Sequence, residues 1–342
     1  QSESFTLFID EFQNFDKVNP AVFSDMQKIW DLNHQQSKIN LIVCGSVYSM
    51  MTKIFRDKKE PLYNRQNRFM TIHAFKPSVL KEILQEYYPE YNNDDLLALY
   101  SFTGGVAKYV QLLVDDSALS IDKMIERIIS SDSTFINEGR TILIEEFGKD
   151  YDTYFSILSA IAMGKTRRSE IESLIGRQIG GYLTRLEEDY GIIEKKLPLG
   201  AKPASKNVIY TIRDNFFTFW FRFIFKYAHI LEIDGYDMLR KIIKRDYPTF
   251  SGIMLERYFR AKAAESKKYT RIAQWWDRKG ENEIDMIAAN EIDETVEFYE
   301  IKRNRRNINF TLLHEKIKHM LEATHLFNNF TVTAKGIDME DM

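Results

Sequence analysis

A single cysteine, Cys44, stands in 342 residues, so no disulfide can form within the chain. Such thiol poverty suits a reducing cytoplasm. Charge of one sign is also lacking. Lysine and arginine total 47 against 50 aspartates and glutamates, a formal net charge of −3. A polycation is thereby excluded, and affinity for nucleic acid has to come from local basic surfaces. The six histidines show no metal-ligand spacing; His314 and His319 lie five apart rather than four. The opening "QSESFT" has no basic region leading into an apolar run, so no signal peptide is expected. The most apolar run, "FFTFWFRFIFKYAHIL" (216–231), is too short to cross a bilayer and holds Arg222 and Lys226. Its apolar residues lie nearly all round, as in a helix buried between domains. No internal repeat or low-complexity tract is evident. A glycine-rich phosphate loop is missing too. The one "GKT", Gly164-Lys165-Thr166, follows a helical run, with Ser159 where the first glycine would stand. That context makes it a loop after a helix rather than a phosphate cradle.

What is present points to an α/β chain of two or three domains. Composition is 44% hydrophobic and 28% charged, typical of a soluble globular protein. "FTLFI" (5–9) and "INLIVCGSV" (39–47) read as buried parallel strands around the helical stretch 23–37. From Ser78 to about Asp150 the pattern is helical, with "TGG" (103–105) stopping one helix and starting the next. Residues 152–215 read as three helices and a hairpin, the plan of a winged helix. After "GYDMLRKIIKRDYP", a helix "SGIMLERYFRAKAAES" leads to strands "RIAQWWD", "EIDMIAAN" and "TVEFYEIK" and then helix "LLHEKIKHMLEAT". Cys44 reads as a core residue, and Trp275 and Trp276 as packing for the sheet.

At the end of the first strand stand Asp10 and Glu11. An aspartate at a strand tip can reach the hydration shell of Mg²⁺, a hard ion that takes oxygen ligands. A neighbouring glutamate can orient an attacking water. Ser46, after the second strand, could sense a terminal phosphate, and Arg65 and Arg68 in "LYNRQNRF" could bring positive charge to it. The order "FIDEFQ", "CGSV", "PLYNR", "TGGVAKYV" resembles the prokaryotic AAA+/STAND-like ATPases often called archaeal-type ATPases. The resemblance runs over most of the chain. It implies that the first string is the Walker B strand, the second ends the sensor strand, and the last opens a lid helix, with Ala107 where the family usually has proline. It implies bound ATP with Mg²⁺, but the phosphate loop of that family is absent. The chain is therefore expected to be an N-terminally truncated form of a longer ATPase, without ATP hydrolysis of its own.

The hairpin region is locally basic. Lys165, Arg167, Arg168, Arg177, Arg185, Lys195, Lys196, Lys202 and Lys206 could meet DNA phosphates, while Glu187, Glu188 and Asp189 would repel them. Winged helices also serve as protein contacts.

The C-terminal acids carry the sharper signal. Asp285 lies inside an apolar strand, and a charge there is costly without a partner. Strand alternation puts Glu300 and Lys302 on one face of the next strand, and Glu283 on the face of Asp285. Asp285 and Glu300 could hold Mg²⁺ or Mn²⁺, with Glu256 of the preceding helix completing the shell. Lys302 could orient water and steady the developing charge. Helix acid, strand acid, then E-x-K resembles the PD-(D/E)xK nuclease superfamily. Carried over by position, Glu256, Asp285, Glu300 and Lys302 are its site, and "RNRRN" (303–307) could grip a DNA backbone.

The expected architecture is an α/β multidomain chain. Its parts are a remnant P-loop AAA+ core (1–77), a helical lid (78–150), a winged helix (151–215), linking helices (216–247) and a restriction-endonuclease-like domain (248–342). One functional reading makes it part of an ATPase whose nucleotide state positions a DNA-binding winged helix and a metal-dependent nuclease-like domain. The other makes it a non-catalytic regulatory module that binds DNA or protein. Neither reading involves a membrane, and homo-oligomers are compatible with both.

Overall fold

A computed structural model describes residues 4–45, 48–147 and 151–342. The chain divides into two compact units. One comprises Gln1–Ile72, Thr141–Tyr154 and Gly180–Ile192, and the other His73–Arg140, Phe155–Ile179 and Ile193–Met342.

In the first unit, β1 (Phe5–Ile9) pairs in parallel with β2 (Ile39–Val43), Leu7 opposite Leu41. The helix Val22–Asn33 connects them. A small core forms around Phe12, Phe23, Ile54, Phe55 and Leu62. Both strands were expected to be buried, but Phe5, Leu7, Phe8, Ile39 and Ile42 are exposed. The runs are apolar and β-branched as read, yet two strands alone leave side chains and outer edges open to water.

The second unit opens on helices Pro77–Tyr87, Asn93–Thr103, Ala107–Asp115 and Ile121–Ile128. Thr103 ends one helix, Gly104 and Gly105 take positive φ (60° and 73°), and the next helix begins at Ala107. A Cβ on Gly105 would lie 2.4 Å from the Phe75 carbonyl oxygen, so only glycine fits there. The aromatic run 216–231 is broken into short helical pieces, with Phe216, Phe219, Trp220, Phe221 and Phe223 buried. Among the described residues no helix is long and apolar enough to cross a membrane.

Along the chain, helices Tyr151–Ala162, Arg168–Ile175 and Gly180–Thr184 precede an antiparallel hairpin of β3 (Ile193–Lys196) and β4 (Ile209–Ile212). The "GKT" segment lies after the first of these helices, Gly164 at φ 91°, as read from the sequence.

A single 30-residue helix, Tyr236–Glu265, runs straight through Pro248, where two helices were expected. Proline removes one backbone donor. Here Leu239, Ile243 and Tyr247 before it, and Phe250, Met254 and Leu255 after it, are all buried, so packing holds the helix continuous. The helix leads to a four-stranded sheet in the order β5 (Arg271–Trp276), β6 (Glu283–Asn290), β7 (Thr295–Ile301), β8 (Thr331–Ile337). The first three strands are antiparallel, and β8 runs parallel to β7. Helix Phe310–Thr324 makes the β7 to β8 crossover and presses Leu313, Ile317 and Met320 onto Trp275, Ile287 and Phe298. Trp275 and Trp276 are buried in the sheet, as expected.

Candidate functional site: an acid and lysine cluster on the four-stranded sheet

The sheet brings Asp285, Glu300 and Lys302 together. Met286 pairs with Tyr299, so Asp285 and Glu300 follow at the next step of the β6–β7 ladder. The Ile301 amide donates to Asp285 Oδ2 at 2.8 Å. Lys302 Nζ lies 3.1 Å from Asp285 Oδ2 and 3.0 Å from Glu300 Oε1. Both acids are buried, each 5% exposed, while the Lys302 side chain keeps 35% of its surface. A partly exposed ammonium between two carboxylates offsets the desolvation each would otherwise suffer.

Local backbone explains how Asp285 reaches this place. Ala273 pairs with Ile287 and Trp275 with Ile284, so Asp285 and Met286 together oppose Gln274. That is a β-bulge, which re-aims a side chain and recurs beside sites of function. Simple alternation, used to place Glu283 on Asp285's face, is interrupted there. Glu283 nevertheless feels Asp285: burial first, then the Asp285 charge, push its carboxyl up.

Glu256 comes from the long helix. Arg260, one turn on, approaches its carboxylate at 3.4 Å and donates to the Asp285 carbonyl oxygen at 2.7 Å. Burial, followed by the Asp285 charge, raises Glu256 to about 8. Asp285 is raised as well, by burial, against the opposing pull of Lys302 and the Ile301 amide. Burial acts to lower Lys302, but the Asp285 and Glu300 carboxylates outweigh it and raise the ammonium's pKa. Lys302 therefore stays protonated at neutral pH.

Sequence reasoning missed Lys316 and Arg260. Lys316 Nζ sits 3.2 Å from Glu300 Oε2 and is only 12% exposed. Its signal is weak: a lysine directly before Ile317 on the buried stripe of an amphipathic helix. Arg260 was legible as the i+4 partner of Glu256.

"RNRRN" does not present three free cations. Arg303 forks onto Asp94 at 2.7 and 2.8 Å and donates to the buried Ser251 hydroxyl at 2.7 Å. Arg305 faces Asp341 at 3.5 Å. Arg303 thus ties the end of β7 to helix Asn93–Thr103. Arg303→Ala is expected to cost about 1–2 kcal/mol in thermal unfolding, with oligonucleotide affinity unchanged.

The N-terminal acids stand at the end of β1, as read. Asp10 accepts the Cys44 thiol at 2.7 Å, and that bond, with the Glu11 amide, lowers its carboxyl. The same bond raises the Cys44 thiol. Cys44 is half-buried rather than a core residue, because its thiol turns to this carboxylate. Glu11 occupies the left-handed region (φ 49°, ψ 42°), which is uncommon for a residue with a side chain. It accepts a hydrogen bond from the buried Gln13. A Cβ on Gly45 would lie 2.1 Å from Gln13 Oε1, so a larger residue there would have to displace the Gln13 side chain. Ser46 lies outside the described residues.

Arg65 is committed elsewhere: Nε and Nη2 hold Asp31 at 2.9 Å each, and Nη1 caps the carbonyls of Pro61 and Tyr63. Its expected part in bringing positive charge to a phosphate would require exchanging Asp31 for that ligand. A bidentate carboxylate pair uses the fork that a phosphate would need. Arg68 is exposed.

Within the hairpin region, Arg168 pairs with Glu172 at 2.8 Å and Lys196 with Glu194 at 2.6 Å. Neither is a free cation for DNA.

No three His, Cys, Asp or Glu side chains among the described residues converge as a metal cage. The charge between Asp285 and Glu300 is supplied by Lys302.

Residues 220–317 match the DUF234 family model, described as archaeal and bacterial proteins of unknown function. That stretch contains Glu256, Asp285, Glu300, Lys302 and Lys316. Over 306 residues the chain is 34% identical to "Uncharacterized protein MJECL04" of Methanocaldococcus jannaschii, an alignment spanning 86% of this chain and 67% of that protein.

Proposed function

This chain belongs to the family of that archaeal protein, and on this premise we propose that its four-stranded sheet is a metal-dependent nuclease site acting on DNA. The carrying observation is the convergence of Asp285, Glu300 and Lys302 within 3.1 Å, although they lie on two strands. The donor chemistry fits Mg²⁺ or Mn²⁺, since Glu256, Asp285 and Glu300 offer only hard oxygens. Burial raises the Glu256 and Asp285 carboxyls, with the Asp285 charge adding to the shift at Glu256, and a divalent ion would offset both effects. When bound, such an ion supplies Lewis-acid polarisation of a phosphoryl oxygen and an activated water.

The chain's own residues do the rest. Asp285 and Glu300, on the two central strands, hold the Lys302 ammonium just past the end of β7. Protonated Lys302 donates to a non-bridging phosphate oxygen and steadies the negative charge that grows as the phosphodiester is attacked. Its raised pKa makes it a donor, not a proton acceptor. Lys316 neutralises Glu300 from the helix side, and Arg260 fixes the bulge through the Asp285 carbonyl. The surrounding reading is an archaeal-type ATPase chain. Asp10 and Glu11 belong to its nucleotide site with Mg²⁺, and the three helices and hairpin are a DNA-binding winged helix.

Supercoiled and single-stranded DNA incubated with Mg²⁺ or Mn²⁺ test this. The wild-type chain is expected to cut, EDTA to stop it, and Asp285→Asn to be inactive while still folded. Equal cutting by both proteins would remove the assignment. A second reading, a non-catalytic DNA- or protein-binding module, is favoured by one observation: Lys302 already bridges the acids, and no metal cage forms among the described residues. DNA binding without cutting at any metal concentration would select it.

A further inference from the structure

A cavity of about 610 Å³ lies away from the acids, lined by Arg167, Ser205, Lys206, Asn207 and Arg278. Three of its five lining residues are cations and none is an acid, in a chain whose net charge is −3. The cations come from three separate segments: the start of helix Arg168–Ile175, the loop between β3 and β4, and the turn between β5 and β6.

The segments are held together by bonds that do not neutralise the charge. Leu199 donates its amide to the Gln274 carbonyl at 2.9 Å, lacing the hairpin loop onto β5. Further along, Trp276 Nε1 donates to Asn207 Oδ1 at 3.1 Å, and Asn207 Nδ2 to the Trp276 carbonyl at 3.4 Å. Arg167 Nη1 donates to the Arg278 carbonyl at 3.0 Å. Glu170, close in sequence, accepts from the Arg167 backbone amide rather than its guanidinium. Asp277, beside Arg278, spends its oxygens on Gly280, Glu281 and Asn282 of its own turn. Like charges gathered without a counter-charge are a standing site for an anion.

We propose that this cleft seats the phosphodiester backbone of a DNA strand. Lys206 and Arg278 are exposed, so the cleft is open rather than enclosing, which suits a chain passing across it more than a small phosphate ester held within. Arg278 offers a planar fork, Lys206 a point charge, and the Ser205 hydroxyl a further donor, the residue types that contact phosphates without reading bases. Binding is therefore sequence-independent and strongly salt-dependent.

The cleft also has a direction. Trp276 pairs with Glu283, and Asp285 is two residues further along β6, about 7 Å at the rise of a strand. The turn carrying Arg278 and the strand carrying Asp285 are one hairpin. A backbone held at the turn continues toward the acids. This orientation rests on the nuclease reading; the binding itself does not.

Fluorescence anisotropy with labelled single-stranded and duplex oligonucleotides across a salt series tests the proposal on the full chain. Lys206→Glu and Arg278→Glu are each expected to weaken binding roughly tenfold and to lower the salt slope by about one. Lys123→Glu, an exposed charge reversal elsewhere, is expected to bind like wild type. Circular dichroism and thermal midpoints confirm that each variant is folded. Equal affinity of all variants, or no oligonucleotide binding by wild type, overturns the proposal. Binding of pyrophosphate through Lys206 and Arg278 without oligonucleotide binding also overturns it and assigns a small phosphate ligand instead. If wild type binds oligonucleotides through Lys206 and Arg278 but does not cut DNA with Mg²⁺ or Mn²⁺, the nuclease reading fails while the cleft stands.

Discussion

Glu256→Gln is expected to stabilise the protein at pH 9 by roughly 3 kcal/mol and to change nothing at pH 4. Burial and the Asp285 charge raise Glu256 to about 8 in the folded state, well above an ordinary glutamate. The folded protein therefore binds this proton more tightly than the unfolded chain does. Stability is fully present below the unfolded pKa, near 4.5, and is lost as pH rises toward 8. Glutamine is a neutral mimic of the protonated acid and removes that loss. The side chain retains 22% of its surface, so water tempers the penalty, and the figure is set below what the full shift would give. Urea unfolding at several pH values measures it directly. Parallel wild-type and variant stabilities from pH 4 to 9 would show that Glu256 is not a strained buried carboxyl.

Lys302→Met is expected to have the opposite sign. Removing the ammonium leaves Asp285 and Glu300, each 5% exposed, facing one another. Breaking a buried ion pair from one side costs about 3–5 kcal/mol. The 35% exposure of Lys302 and the remaining Lys316 partner of Glu300 bring the expected loss to about 2 kcal/mol at pH 8. The loss should shrink toward acid pH, as Asp285, its carboxyl raised by burial, takes up a proton. Asp285→Asn in the same chain should restore part of it, because the double variant leaves one buried carboxylate instead of two. Under the nuclease reading, Lys302→Met also lowers cleavage by on the order of 10²–10³-fold, the usual effect of removing one donor to a developing oxyanion. A variant as stable as wild type and equally active would deny Lys302 both roles.

Much of this was legible in one dimension. The apolar stretches around Asp285 and Glu300, and the one-residue gap between Glu300 and Lys302, put the acids and the lysine on adjoining strands. Glycines at 104 and 105 marked a helix break that the positive φ values bear out. Pro248 was less reliable, because the rule that proline ends a helix describes the local backbone and not the buried side chains on either side.

Other features had no local signal. Arg65 and Arg303 look alike in sequence to arginines free for phosphate. Asp31 and Asp94, 34 and 209 residues away, claim them. The bulge at Asp285 depends on how β5 pairs, and Lys316 meets Glu300 only because a crossover helix returns over the sheet. The basic cleft joins Arg167, Lys206 and Arg278 from segments 39 and 72 residues apart. Sequence by itself determined the local elements and which side chains carry charge, since backbone propensity and strand alternation act between neighbours. Tertiary structure alone decided which charges are neutralised and which are left over. Coulomb forces and desolvation depend on distance through space, and only the folded chain sets those distances.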